Sequence, residues 1–442
     1  MADKVNIFWF RRDLRLDDNV GFYNALRGKQ PVLPIFIFDT EILDKLPKDD
    51  ARVTFIYNTL QDMRTTLEIH GSSLAIYYGK PLAIFKELCK TYAIQNVITN
   101  RDYEPYGHER DTNIKKYLTT LQQKEGDQHI GFYDYKDHVI FEKDQVVKED
   151  GLPYVVYTPY KKKWKSIFKP TSQLKNYQTS NHFNNLYKTT SLANTTLKTM
   201  GFEKSAITVP MYRATPALIQ NYEDTRDFPA KNGTSNLGPH LRFGTVSIRA
   251  MVKKAIAEKN EVFWSELIWR EFFMQIFWHF PQTQEKAFRP KYDRIEWRNN
   301  EVEFELWKNG NTGYPLVDAG MRELNETGHM HNRVRMLVAS FLCKHLLIDW
   351  RWGETYFAEK LLDYERSSNV GNWQWAAGSG VDAAPYFRIF NPITQVDKFD
   401  KQHTYIKKWV PEYNTNAYPD MMVDHKMARE RCLKTYKEAV NS

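Results

Sequence analysis

The sequence predicts an α/β domain built on a doubly wound parallel sheet, followed by an all-α domain. Before residue 135, short apolar runs (VNIFWF from Val5, then VLPIFIFD, SLAIYYG and NVITN) read as buried strands. Between them lie the helical patterns RVTFIYNTLQDMRTTLEIHG and PLAIFKELCKTYAI, and strands alternating with helices imply parallel pairing. From about Thr208 to the end, helical periodicity dominates. These readings divide the chain into an α/β domain at 1–135, a linker at 136–207 and a helical domain at 208–442.

The first strand runs into RRDLRLDDN rather than into a glycine-rich turn, which argues against a standard NAD site. Most charges of that stretch are expected to form a salt-bridged loop. After HIGFYDYKDHVIFEKDQVV the periodicity fades. The basic, aromatic YVVYTPYKKKWKSIFKP and the polar QTSNHFNNLYKTTSLANTTLK read as a surface linker, partly irregular, whose lysines form a solvated face.

Composition narrows the function classes. A formal charge of +8 on 442 residues leans towards an anionic partner, most simply nucleic acid. The 12 tryptophans suit a heavy core, and they also suit stacking on flat ligands or bases. Cys89, Cys343 and Cys432 are isolated, which argues against a disulfide framework or a cysteine-based zinc site and fits a reducing cytosol. No apolar window is long enough to span a membrane. The N-terminal MADKVNIFWFRRD has too short an apolar run for a secretory signal.

Three motifs in the helical half carry chemistry. In RDFPAKNGTSNLGPHLRFGTVS, Gly233, Thr234 and Ser235 offer amides and hydroxyls in a turn ahead of a helix, an anion cradle that a simple turn plus N-cap would also explain. In FWSELIWREFF, Glu266, Trp269, Arg270 and Phe273 share one broad helical face, suited to a planar polar ligand. The plainer alternative is a Glu266–Arg270 surface ion pair. In TGHMHNRVRMLVASFLCKHLLIDWRWGE, the stripe Met330, Val334, Leu337, Val338 and Phe341 marks a core-packed helix, with Asn332, Arg335 and Met336 on another face. His329 and His331 diverge on a helix, and no carboxylate or cysteine completes a zinc set, so no metal is expected.

A fourth stretch, NVGNWQWAAGSGVDAAPYFRIFN from Asn369, mixes rings, small residues and Arg388 in a way an ordinary core helix has no use for. If Trp373 and Trp375 lie in a helix they point roughly 200° apart, one inward and one towards a cavity. In a strand they would share a face as plain core.

In their order, FRRDLRLDDN, GTSNL, ELIWREF, TGYPLVDAGMRELNETG, MHNRVRM, LLIDW and NWQWAAGSGVDAAPYFRIFNP closely resemble the photolyase/cryptochrome flavoproteins over nearly the whole chain. Within that family the chain looks most like a bacterial-type (class I) cyclobutane pyrimidine dimer photolyase. The resemblance implies FAD bound in a bent form in the helical domain, and an antenna chromophore at the α/β domain. It assigns Tyr222, Thr234, Ser235 and Leu237 to the FAD phosphates and ribityl chain. Arg335 and Asp363 become an ion pair beside the isoalloxazine, Asn369 faces its N5, and Glu365 lies near the adenine. Asn236 and Gly238 depart from the family's usual Arg and Ser in that turn.

For the substrate, the resemblance points to Glu266, Trp269, Asn332, Arg333, Met336 and Trp375, with Arg226, Arg270, Arg333 and Arg388 meeting phosphates. Trp373, Trp350 and Trp297 match the family's tryptophan chain, which photoreduces oxidised flavin. The implied activity is light-driven repair: reduced FAD passes an electron to a pyrimidine dimer flipped out of double-stranded DNA, with single-stranded DNA a further substrate. Asn332 and Met336 stand where a (6-4) photolyase typically has histidines, and Asn369 where cryptochromes have Asp or Cys. The chain also stops at Ser442 without a signalling tail. Repair is therefore favoured over the alternative, a cryptochrome-like photoreceptor that signals through a partner. His329 departs from the family's frequent Trp without a firm account. Glu109 in GHERD lies near a folate-contacting position, so the antenna is expected to be methenyltetrahydrofolate, a deazaflavin or a second flavin, if one is bound. A cytoplasmic monomer acting on nucleoid DNA completes the expectation.

Overall fold

The computed structural model describes residues 4–125, 130–189 and 191–441. Two compact units emerge. One comprises 1–142, 167–211 and 237–254; the other comprises 143–166, 212–236 and 255–442. Both are thus discontinuous in sequence, whereas the expected boundaries at 135 and 208 were drawn as single cuts.

The first unit holds a five-stranded parallel sheet in the order β3-β2-β1-β4-β5, formed by Val5–Phe10, Val32–Asp39, Ala75–Gly79, Ile94–Asn100 and Gly131–Tyr135. β1 pairs with β2 and β4, so the chain order reverses at β1 as a doubly wound sheet requires. All six residues of β1 and all eight of β2 are buried, the mark of strands covered on both faces. One apolar layer gathers Phe8, Phe10, Phe22 and Phe36, and the other Ile7, Trp9, Ile35 and Val97. The RRDLRLDDN loop after β1 is salt-bridged, as expected of most of its charges. Arg11 meets Asp111, Arg12 meets Glu104 and Asp102, and Arg15 meets Asp137 at 2.6 Å. Arg249 adds a second cation at 2.9 Å from Asp137. Burial alone would push the Asp137 carboxyl up, but Arg15 and Arg249 hold it well below the usual carboxylate range.

Part of the expected surface linker is helical. Tyr157–Ile167 is a helix with Tyr157, Tyr160 and Trp164 buried, and only its other side is basic. Two of its lysines are not simply solvated, because Lys161 and Lys165 pair with Glu261 at 3.0 and 2.5 Å.

The second unit packs helices around Trp307, Leu337, Phe341, Trp350 and Trp373. The stripe Met330, Val334, Leu337, Val338 and Phe341 is buried throughout, as its spacing predicts. The Asn332–Ser340 helix widens into a π turn at Phe341–His345, which buries His345 against Phe341 at 4.7 Å. Burial, then the neighbouring His425, Arg431 and Lys344, push His345 down to about 3. Burial, then His329 and Arg335, push His331 down to about 4. Both rings are therefore neutral when folded and take up protons on unfolding between roughly pH 6.5 and 4. Unfolded chains bind more protons in that window, so stability should fall on acidification, on the order of 3 kcal/mol per ring. Denaturant melts from pH 7 to 4.5 check this; a flat midpoint would contradict it. Among the described residues, no helix is long and apolar enough to cross a membrane.

Candidate active site

The Glu261–His279 helix is started by Asn260, whose side chain accepts from the Phe263 amide. It presents Glu266, Trp269 and Arg270 together, but the i,i+4 ion pair is not what forms. Glu266 accepts from Arg226 at 2.5 Å, and Arg270 pairs with the buried Glu365 at 3.0 Å. From Arg226 the charges continue: Asp227 lies 3.9 Å away and accepts from Arg333 at 2.6 Å. The Arg333 guanidinium and the Asn332 amide both reach the Met336 sulfur, at 4.0 and 3.9 Å. One ladder, Glu266–Arg226–Asp227–Arg333–Met336–Asn332, thereby gathers five predicted lesion and phosphate contacts, with Asp227 between them, from three separated segments. Of the predicted DNA arginines, Arg388 alone has an exposed side chain. Its carbonyl accepts from the buried Lys344 at 2.9 Å.

Trp269 is half-buried and stacks face to face on Tyr157, with centroids 3.6 Å apart and planes 10° from parallel. Phe273 lies 5.5 Å away on its own helix. Phe273 in turn abuts Gly371, where an added Cβ would fall 2.3 Å from its ring. Gly371 belongs to the Arg366–Ala377 helix, whose N-cap position is Glu365 and which ends at Gly378 in left-handed backbone, φ +88°. This helix carries Asn369, Trp373 and Trp375. Its two tryptophans serve opposite environments, Trp373 being 2% exposed and Trp375 half-buried, in keeping with the helical alternative.

Trp373 packs edge-on to Phe357 at 5.0 Å and Trp307 at 6.2 Å, and Gly353 leaves no room for a side chain beside it. Trp350 is equally buried in the same core, while Trp297 is half-buried at its margin, edge-on to Tyr436 at 6.0 Å. Exposure thus rises from Trp373 and Trp350 to Trp297.

The polar groups fit FAD. Arg335 makes a two-pronged contact with Asp363 at 3.1 and 3.0 Å and donates from Nε to the Met330 carbonyl. Burial alone would raise the Asp363 carboxyl, but the Arg335 guanidinium holds it below its ordinary value. Asn369 Nδ2 donates to the Glu354 carbonyl and to Glu354 Oε1, at 3.1 and 3.0 Å. The backbone carbonyl only accepts, so the amide is oriented, and Asn369 Oδ1 keeps no hydrogen bond among the described residues. It remains an acceptor for an N–H such as flavin N5–H. The amides of Thr234 and Ser235 likewise donate to no described group, and Asn236 has φ +54°, the left-handed turn of an anion-binding nest. Tyr222 stands by Phe263 and Arg226; burial, then Glu266, push its phenol up to about 12.

Leu237 is buried at the start of the Leu237–Arg242 helix, in the first unit. Glu109, also of that unit, is an exposed side chain on the Pro105–Glu125 helix. His329 is held down at about 4 by burial and then by Arg335. Sequence reasoning missed Asp227, Glu354 and Tyr157. All three stood inside quoted motifs, but only tertiary contacts give them partners.

Two family models match the chain: DNA photolyase over residues 6–178 and FAD binding domain of DNA photolyase over residues 263–417. A deoxyribodipyrimidine photo-lyase from Synechococcus sp. is 34% identical, covering 98% of this chain and 96% of its own. Among solved structures, a bacterial class III photolyase from Agrobacterium tumefaciens superposes with a TM-score of 0.86 at 32% identity, covering 100% and 99% of the two chains. An archaeal photolyase from Sulfolobus tokodaii, described with two FAD molecules, gives 0.83 at 33% identity, covering 98% and 100%.

Proposed function

Since this chain belongs to the DNA photolyase family, with an FAD-binding domain in its helical half, we propose that it repairs cyclobutane pyrimidine dimers in DNA under blue light. The observation that carries the reading is the ladder from Glu266 to Asn332, which lines up acid, amide, thioether and guanidinium groups from the helix that carries Trp269 to the one that carries Met336. Bound and reduced, FAD supplies the light-excited electron. Arg335, Asp363 and Asn369 hold the isoalloxazine, and Tyr222, Thr234, Ser235 and Glu365 take the phosphate and adenine portions. The assignment of Leu237 rests on its motif.

A dimer weakens its own pairing and is cheap to flip out. Trp269 and Trp375 then wall its rings. Glu266 and Asn332 address the carbonyl edge where charge develops, and Met336 adds a polarizable contact. Arg226, Arg270, Arg333 and Arg388 face phosphates, a sequence-independent mode suited to repair. Trp297, Trp350 and Trp373 relay electrons inward. The protein acts as a cytoplasmic monomer on nucleoid DNA, with Glu109 at an antenna that harvests light for the flavin.

Arg388 gives the sharpest binding test, because its exposed side chain makes no ion pair among the described residues. Titrating a dimer-containing duplex at rising salt, Arg388→Ala should lower the log–log slope by about 0.9. An unchanged slope removes Arg388 from the DNA interface.

A further inference from the structure

The Tyr157–Trp269 stack has no role in the reading above, yet its geometry is unusual. Free aromatic pairs favour offset or edge-on arrangements over a sandwich. Here the centroids are 3.6 Å apart with nearly parallel planes, so the Tyr157 ring lies directly over one face of the indole. Three ties hold Tyr157 there. Its hydroxyl donates to the Ser265 carbonyl at 2.7 Å, one turn before Trp269. Its amide donates to Asp382 Oδ2 at 3.3 Å, on the segment that leads to Arg388. Trp164, seven residues on, donates to the buried Glu271 at 2.5 Å and fixes the same helix. Tyr157 is 7% exposed while Trp269 stays half-buried, so the remaining accessible surface of the indole lies away from Tyr157.

We propose that Tyr157 is a positioning residue for damage recognition: its clamped ring sets the plane of Trp269, so that the indole's free surface is preformed as a wall for the dimer. This rests on the proposed contact between Trp269 and the lesion. A wall already held in place loses little rotamer freedom when the lesion arrives, which favours a dimer, already weakly paired, over a base that must first be unstacked. Tyr157 touches no reacting atom in this scheme; its effect passes through Trp269.

The test is a double-mutant cycle on the flavin-loaded protein. Dark dissociation constants are measured for a duplex with one thymine dimer and for the same duplex undamaged. Tyr157→Leu should lower the preference for damage about tenfold with flavin content unchanged, the scale of one lost aromatic stack. Tyr157→Phe keeps the ring and should stay within about threefold. The double variant Tyr157→Leu/Trp269→Ala should be no worse than Trp269→Ala alone. Additive losses would overturn the coupling while leaving Trp269 as a lesion contact. Full preference in Trp269→Ala would sink both. Should Tyr157→Leu fail to hold flavin, Tyr157→Met is held to the same criterion, and an unchanged preference in either variant overturns the proposal.

Discussion

Arg335→Ala should purify almost free of flavin. A hydrogen bond between charged groups contributes about 1.5–3 kcal/mol, and the half-buried Arg335–Asp363 pair makes two of them. The substitution strands Asp363, otherwise held ionised by that guanidinium. Expressed in cofactor affinity, the loss is on the order of 10²–10³-fold. The flavin-to-protein absorbance ratio of the purified variant measures it. Replacing both partners by apolar residues, Arg335→Met with Asp363→Leu, should restore much of the thermal stability without restoring flavin. A double variant that regains flavin would show the pair to be structural only.

Glu266→Ala should behave in the opposite way, keeping its flavin and losing repair. Glu266 touches neither Arg335 nor Asn369; its partner is Arg226. A hydrogen bond to a charged group contributes about 1.5–3 kcal/mol, so the rate of repair at sub-saturating dimer should drop about ten- to hundredfold. Loss of flavin would instead place Glu266 in the scaffold of the cofactor site, and unchanged repair would remove its assigned role.

Much of the fold was legible because burial leaves a pattern. β1 and β2 are apolar runs since both faces are covered, and β3 and β4 keep a buried apolar part that still reads as strand. β5 was not legible: in Gly131–Tyr135 only the first residue is buried, as befits a strand at the sheet's edge. The Tyr157–Ile167 helix was masked by its charge run, although Tyr157, Tyr160 and Trp164 follow helical spacing. The site was legible as residue types and only partly as contacts. Glu266 and Arg270 stand one turn apart, yet each takes a partner distant in sequence, Arg226 and Glu365, and no local rule selects such partners. The same holds for Glu354, whose orientation of Asn369 depends on how two helices pack. The subclass is finer still. The motifs lean to class I, whereas the Agrobacterium neighbour is described as class III.

The central claim is that reduced flavin held by Arg335, Asp363 and Asn369 splits dimers presented against Trp269 and Glu266. Its most direct measurement is the loss of cyclobutane dimers from a defined oligonucleotide, incubated with the purified, reduced protein in blue light and in darkness. Dimer loss is expected in light only, reaching several turnovers per protein. Tight binding of the damaged strand with no dimer loss under illumination would contradict it, and would instead favour a photoreceptor.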